Sequence, residues 1–136
     1  MRKKTYTGIN IQWPISELIL SGKKTIETRT YPIPPKYLNQ EMILIETPGR
    51  HGKFKSRMRA FIVFTGCFQY DDATSFYRDS KHHAVTPDSD WAWDKSKGKW
   101  GWKVKVIKVF DEPIPLQKRT GIKFSKNIKI DEAYLA

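Results

Sequence analysis

The chain has 136 residues with 25 Lys and Arg against 14 Asp and Glu, a formal net charge of +11. That length suits one hydrophobic core and leaves no room for a second domain, so one domain is expected over residues 1–136, and the charge excess favours a polyanionic partner, nucleic acid first. A single cysteine, Cys67, excludes an intramolecular disulfide and a multi-cysteine zinc site, no run approaches the roughly 18 apolar residues of a membrane span, and the start Met-Arg-Lys-Lys has no signal-peptide core, which together predict a soluble intracellular protein with no membrane partner.

Ile9, Ile11 and Trp13 alternate with Gly8, Asn10 and Gln12, the period of a strand with one buried face. The period then changes: Pro14 suits a first helical turn, Ile15, Leu18 and Ile19 recur at helical spacing, and Gly22 is placed to end the helix in a left-handed conformation. Tyr31 to Pro35 holds three prolines and reads as an ordered loop, after which Glu41 to Thr47 reads as a strand. Gly49 to Met58 is a basic connection to the apolar strand Arg59 to Gly66, and the two strands suit a hairpin with a long loop. Asp71 or Asp72 is placed to cap a short helix through Phe76 and Tyr77, with Arg78 to Ser89 polar and irregular beyond it. The last clear strand is Trp100 to Phe110, closed by Asp111 to Pro115, and weak alternation continues around Ile128 and Ile130. Short strands with few and small helices predict a compact, partly closed β-barrel or α+β fold rather than a βαβ fold.

The segment Gly22-Lys23-Lys24-Thr25-Ile26-Glu27-Thr28-Arg29 sets charges of both signs close together after the first helix. If it is extended, Thr25, Glu27, Arg29 and Tyr31 share one face and Ile26 takes the other. Lys24 has the wrong parity and joins Glu27 and Arg29 only if the turn at Gly22 aims it inward. Two readings stand side by side here: a polar ligand pocket, or a solvated Glu-Arg pair with lysines at a helix C-terminus.

Trp91, Trp93, Trp100 and Trp102 form two i,i+2 pairs around Asp94 to Lys99. Stacking on an unpaired base is one use for them, at about 1–3 kcal/mol per base, and core filling is the other. Trp102, with Val104 and Val106 on its face, reads as core; Trp91, Trp93 and Trp13 read as ligand candidates. Three basic clusters supply candidate phosphate contacts: Arg50, Lys53, Lys55, Arg57 and Arg59; Lys95, Lys97, Lys99, Lys103 and Lys105; and Lys118, Arg119, Lys123, Lys126 and Lys129. His82 and His83 would point to opposite faces of a strand, so no metal site is assigned. Cys67, at a strand end, reads as buried rather than reactive.

Several of these pieces resemble the ASCH (activating-signal cointegrator homology) family, a branch of the PUA-like domains. Ile11-Gln12-Trp13-Pro14 with Ile19 is similar to the lead into its first helix, Gly22, Lys24, Glu27 and Arg29 match its G-x-K-x-x-E-x-R signature, and Gly101-Trp102-Lys103-Val104 leading to Pro113-Ile114 is similar to its later strand and closing turn. The resemblance implies an α+β, PUA-like, partly closed barrel of about five to six mixed strands with two or more short helices. It also implies a cleft lined by the motif beside a basic surface, and RNA as partner ahead of DNA. Ligand contacts then fall to Trp13, Lys24, Thr25, Glu27, Arg29, Trp91 and Trp93, and backbone contacts to Arg50, Lys53, Lys55, Arg57, Lys95, Lys97 and Lys99. One enzymatic branch of the family deacetylates N4-acetylcytidine with a threonine nucleophile three positions after the motif lysine; that position is Glu27 here, which counts against the same chemistry. The leading expectation is a nucleic-acid-binding protein that holds a nucleobase or modified nucleoside and needs no cofactor. The alternative is an enzyme on RNA or nucleosides, a ribonuclease or an amidohydrolase, with Lys24 and Glu27 as a proton-transfer pair and a divalent metal such as magnesium only in the nuclease case.

Overall fold

The computed structural model describes residues 3–116, 121, 123–131 and 133, and the structural statements below concern these. Six strands form one mixed, open sheet in the order β2-β5-β4-β3-β1-β6: β1 (Lys3–Gln12), β2 (Ile26–Arg29), β3 (Glu41–Thr47), β4 (Arg57–Gln69), β5 (Trp100–Pro115) and β6 (Phe124–Asp131). Three short helices, α1 (Ile15–Leu20), α2 (Ala73–Arg78) and α3 (Ser80–His83), and a 3₁₀ turn at Pro35–Tyr37 complete the described elements. Six mixed strands with three short helices, in a sheet that does not close, are consistent with the expected partly closed barrel of about five to six strands.

The fold divides into two compact units, and the long strands β4 and β5 contribute residues to both. The first comprises Met1–Glu17, Glu41–Ile62 and Val106–Ala136. In it β1 lies parallel to β3, with Ile9 beside Leu44 and Ile11 beside Glu46, and antiparallel to β6, with Tyr6 beside Ile128. Gly8 and Asn10 are buried along with Ile9 and Ile11, so both faces of β1 are covered here, not the single face that alternation suggested. Gly8 is required by close approach, since a Cβ there would lie 2.3 Å from Ile45 Cδ1. The core of this unit is Ile43, Ile45, Met58, Phe61, Phe110, Ile114, Ile128 and Ile130, with Phe61 edge-on to Phe110.

A carboxylate sits inside this apolar unit. Glu46 is fully buried, and it is held by the Ser16 hydroxyl (2.6 Å), Arg57 Nε (2.7 Å) and Arg59 Nη1 (2.8 Å). Burial alone would raise its pKa, but the bonds from Ser16, Arg57 and Arg59 hold it below the usual carboxylate range. Arg59 also reaches Glu17 at 2.6 Å. Two arginines of the basic loop cluster are thereby committed to the buried carboxylate of Glu46.

The second unit comprises Leu18–Gln40 and Val63–Lys105. Here β2 runs antiparallel to β5 in the register Ile26–Lys103, Glu27–Trp102, Thr28–Gly101 and Arg29–Trp100. Alternation therefore puts Glu27, Arg29, Trp100 and Trp102 on one sheet face and Ile26, Thr28, Gly101 and Lys103 on the other. Trp102 is fully buried, edge-on to Phe64 and Tyr31, which confirms it as core.

Several boundaries differ from the sequence expectation: β4 spans Arg57–Gln69 where Arg59 to Gly66 was expected, and β1 spans Lys3–Gln12, stopping before Trp13. The polar stretch after Arg78 contains α3, a helix of four residues that is too short to show a period. β5 continues through Asp111 to Pro115, because prolines near a strand end forfeit few ladder bonds. The expected cap is present: Asp72 accepts from Ser75 N–H at 2.8 Å while Ser75 Oγ accepts from Asp72 N–H, a reciprocal capping box at the start of α2. Asp72→Ala should lower the midpoint of a urea unfolding titration, through loss of the cap, with an unchanged denaturant slope.

Candidate functional site

Gly22 adopts φ +83°, its N–H bonds back to Ile19 O at 3.1 Å, and Lys24 N–H then bonds to Leu18 O at 2.9 Å. This turn resolves the parity problem by aiming Lys24 inward at the end of α1. Next, Thr25 N–H bonds to His82 O (2.8 Å) and Thr25 O accepts from Val104 N–H (2.9 Å), so the chain is clamped between α3 and β5 just before β2 begins.

Lys24 is 3% exposed and Glu27 5%. The ammonium donates to His83 O at 2.5 Å and lies 3.8 Å from Glu27 Oε1. Glu27 Oε1 accepts from Thr28 N–H at 3.0 Å and Oε2 from Arg29 Nη2 at 3.1 Å. Arg29 Nη1 donates to the Tyr31 hydroxyl at 3.1 Å, and its guanidinium lies 5.5 Å from the Trp102 ring centroid. Trp102 Nε1–H donates to Tyr31 O at 3.1 Å, tying the loop after β2 to β5.

Burial pushes the Lys24 ammonium below the ordinary lysine value of 10.5; Glu27 opposes this, while Arg29 and Lys99 add to it. Arg29 resists the same burial through Glu27 and Tyr31 and ends raised. Lys99, itself buried and lowered by desolvation, feels Glu27 as well. The cluster thus places three cations around one carboxylate. Removing that carboxylate would leave buried cations unopposed, a kind of change that costs about 3–5 kcal/mol.

His83 braces this arrangement. Its Nδ1 accepts from Val85 N–H at 2.9 Å, so the proton is on Nε2, which donates to Phe76 O at 2.6 Å. Burial lowers its pKa and keeps the ring neutral as it stacks on Phe76 at 4.1 Å. Sequence reading missed both His83 and the burial of Lys99. His83 acts through its carbonyl, which no residue pattern announces, and Lys99 looked like one of a solvated run.

The other sequence candidates are dispersed. Thr25 is exposed and does not join Glu27 and Arg29; it lines a cleft with Ile26, Lys103 and His82. Its backbone bonds to α3 and β5 take it out of the alternation assumed for it. Trp91 lies in a turn and Trp93 in irregular chain, neither in a strand, so they form no paired platform: Trp91 is 38% exposed, whereas Trp93 packs 5.6 Å from Phe76 in a cluster with Tyr70 and Val85. Trp13 belongs to the first unit, edge-on to Phe54 at 6.4 Å. In that unit Arg50, Lys53 and Lys55 are exposed, but Arg57 is taken up by Glu46 and by Phe54, 3.9 Å below its guanidinium. Lys95 and Lys97 are exposed in the second unit, and Lys99 is not a surface lysine. Lys118 and Arg119 lie outside the described residues. Cys67 is half-buried and accepts from Ile33 N–H at 3.5 Å. His82 and His83 lie on α3 rather than in a strand, and no group of three or more His, Cys, Asp or Glu among the described residues is arranged to hold a metal.

Among solved structures, the chain is similar to ASCH from Zymomonas mobilis, with a TM-score of 0.67 at 17% identity over 88% of this chain and 85% of that one. The chain has an ASCH-like fold. Two single-residue variants of the same Zymomonas mobilis protein match as well, each with a TM-score of 0.66 at 17% identity over 88% of this chain. No family model matches the sequence, and no curated protein matches it. In this ASCH-like chain, the glycine, lysine, glutamate and arginine of the motif are the residues that build the buried charge cluster.

The lowered Lys24 has a measurable consequence. Between its folded-state value and 10.5 the unfolded chain binds more protons than the folded one, so stability contributed at this position rises with pH across that window. Lys24→Met abolishes the titration. The stability difference between the wild type and Lys24→Met should therefore shift in favour of the wild type as pH is raised from neutrality towards 10.5, read from urea unfolding at each pH.

Proposed function

We propose that this chain works as a single nucleic-acid-binding domain, acting on RNA ahead of DNA, and that the Lys24, Glu27 and Arg29 cluster recognises a nucleobase or modified nucleoside next to a phosphate. The observation that carries this reading is the charge imbalance: Lys24, Arg29 and Lys99 surround the single carboxylate of Glu27 in a buried setting. In a low-dielectric site such an excess favours an anion far more than it would in water. Glu27 uses one acceptor position on each oxygen for Thr28 and Arg29, leaving further lone pairs suited to an exocyclic amine or ring N–H of a base. Arg29, fixed by Glu27 and Tyr31, suits a phosphate or the edge of a base. The exposed lysines Lys53, Lys55, Lys95 and Lys97, with Arg50, supply the salt-sensitive backbone attraction.

A second reading, enzymatic action on RNA or a nucleoside, is favoured by one observation. Burial lowers Lys24, which brings an amine within 3.8 Å of Glu27 closer to the range in which it can exchange a proton. Glu27 still stands where the amidohydrolase branch has its threonine, so proton transfer rather than an acyl-enzyme is the chemistry this pair offers.

Calorimetric titration with canonical and modified nucleosides, then with short RNAs and DNAs at two salt concentrations, tests both readings. Glu27→Gln, measured below its melting temperature with its fold checked by circular dichroism, should weaken nucleoside binding about tenfold, the effect of one buried charge-assisted hydrogen bond. Its slope of log K against log salt should match that of the wild type. Equal nucleoside affinity in the variant would overturn the assignment of Glu27. Turnover of RNA or acylated cytidine that disappears in Glu27→Gln would favour the enzyme.

A further inference from the structure

A separate cleft of ≈ 680 Å³ lies in the second unit, lined by Thr25, Ile26, Phe68, Asp79, His82, Lys103 and Val104. Neither Lys24, Glu27 nor Arg29 is among its lining, and the pairing register puts Ile26 and Lys103 on the sheet face opposite Glu27 and Trp102. The volume is in the range of small-molecule sites, roughly 300–1,000 Å³.

We infer that this cleft is a second ligand site, for a nucleoside phosphate. The floor is apolar: Ile26, Val104 and the ring of Phe68. That ring keeps its place because residue 101 is glycine, where a Cβ would lie 2.7 Å from Phe68 Cζ and 3.1 Å from Ile26 Cγ2. A flat aromatic base fits against such a floor. Around it converge three polar groups that have no hydrogen-bond partner among the described residues: the Thr25 hydroxyl, the Lys103 ammonium and His82 Nε2. Lys103 stands 6.0 Å from the Phe68 ring centroid, at the edge of the floor where a phosphate carried by the base's sugar would arrive.

His82 is held in a fixed orientation at this cleft. Asp79 Oδ1 meets its Nδ1 at 2.5 Å and Asp79 Oδ2 accepts from the Tyr70 hydroxyl at 2.5 Å. Asp79 can only accept, so Nδ1 carries a proton and Nε2 is turned to the ligand. The Lys103 ammonium and the Thr25 hydroxyl then present donors to one phosphate, and His82 Nε2 lines the same cleft beside them.

The shared chemistry, a base with a phosphate, has two sources: a free mononucleotide, or the phosphorylated end of an RNA chain. A neighbouring cleft of ≈ 350 Å³ shares Phe68 and Asp79 and adds Arg78, the position a following nucleotide would reach. Titration calorimetry with the four 5′-mononucleotides, the matching nucleosides, and short RNAs with and without a 5′-phosphate reads this directly. Saturable binding of a mononucleotide or a 5′-phosphorylated RNA should exceed that of its unphosphorylated partner at least about tenfold, one favourable charge-assisted contact. Lys103→Ala, at an exposed side chain, should remove that advantage, and Thr25→Val should reduce it. Sensitivity to Arg78→Ala assigns the RNA end as the source, and insensitivity the free mononucleotide. A phosphorylated ligand that binds no better than its unphosphorylated partner, or equally to wild type and Lys103→Ala, overturns the inference. The proposal does not rest on Glu27, so loss of the nucleoside response in Glu27→Gln with retention of the Lys103-dependent response separates the two sites.

Discussion

Lys24 carries an ammonium group out of water, and the segments around it are arranged to meet the penalty of that step. Desolvating such an ion costs several kcal/mol even after relaxation. Part of the compensation is a carbonyl: His83 O, at the end of the helical turn Ser80–His83, accepts from Nζ. The rest is Glu27, which needs Arg29 as a partner of its own, and Arg29 is steadied in turn by Tyr31 and the face of Trp102. One buried charge thus ties together the turn after α1, the short strand β2, the loop beyond it, α3 and the start of β5. The same cluster is left with more positive than negative charge once Lys99 is included, and that excess is the basis of the proposal that it takes an anionic ligand.

β2 is four residues long yet separates two chemical environments. Its Glu27 and Arg29 face the charge cluster, and its Ile26 faces the apolar floor of the large cleft. The two helices after β4 serve both sides. From α3, the His83 carbonyl holds Lys24 while His82, one residue earlier, is oriented by Asp79 towards the cleft. Adjacent histidines point different ways, as expected, but they do so on a helical turn, and the division puts one ring in the core and the other on the wall of the cleft.

Much of this was legible in the residues, and the failures have physical causes. β3 matched its expected bounds because Glu41–Thr47 is an uninterrupted apolar run closed by polar ends, and Gly22 ended α1 as its position suggested. The motif's side chains came together as the turn at Gly22 allowed. Trp91 and Trp93 misled because an i,i+2 spacing shares a face only in an extended chain, and theirs is a turn running into irregular chain. Arg57 and Lys99 misled because a run of basic residues says nothing about which one finds a buried partner. The carboxylate that claims Arg57 is Glu46, inside an apolar strand. Lys24 and His83 are far apart in the chain, and a contact through a backbone carbonyl leaves no signature in residue type.

The central claim is that Lys24 is a desolvated amine in a positively charged cluster that accepts an anionic ligand. Lysine side-chain NMR with ¹³C-labelled protein, titrated across alkaline pH with and without a short RNA, tests it most directly, the Lys24 Cε resonance being assigned by its absence in Lys24→Met. The account predicts that Lys24 titrates below the ordinary value of 10.5 in the free protein and that RNA raises it, because a nearby phosphate favours the ammonium. A Lys24 resonance that titrates with the exposed lysines, or that stays where it is when RNA binds, would contradict it.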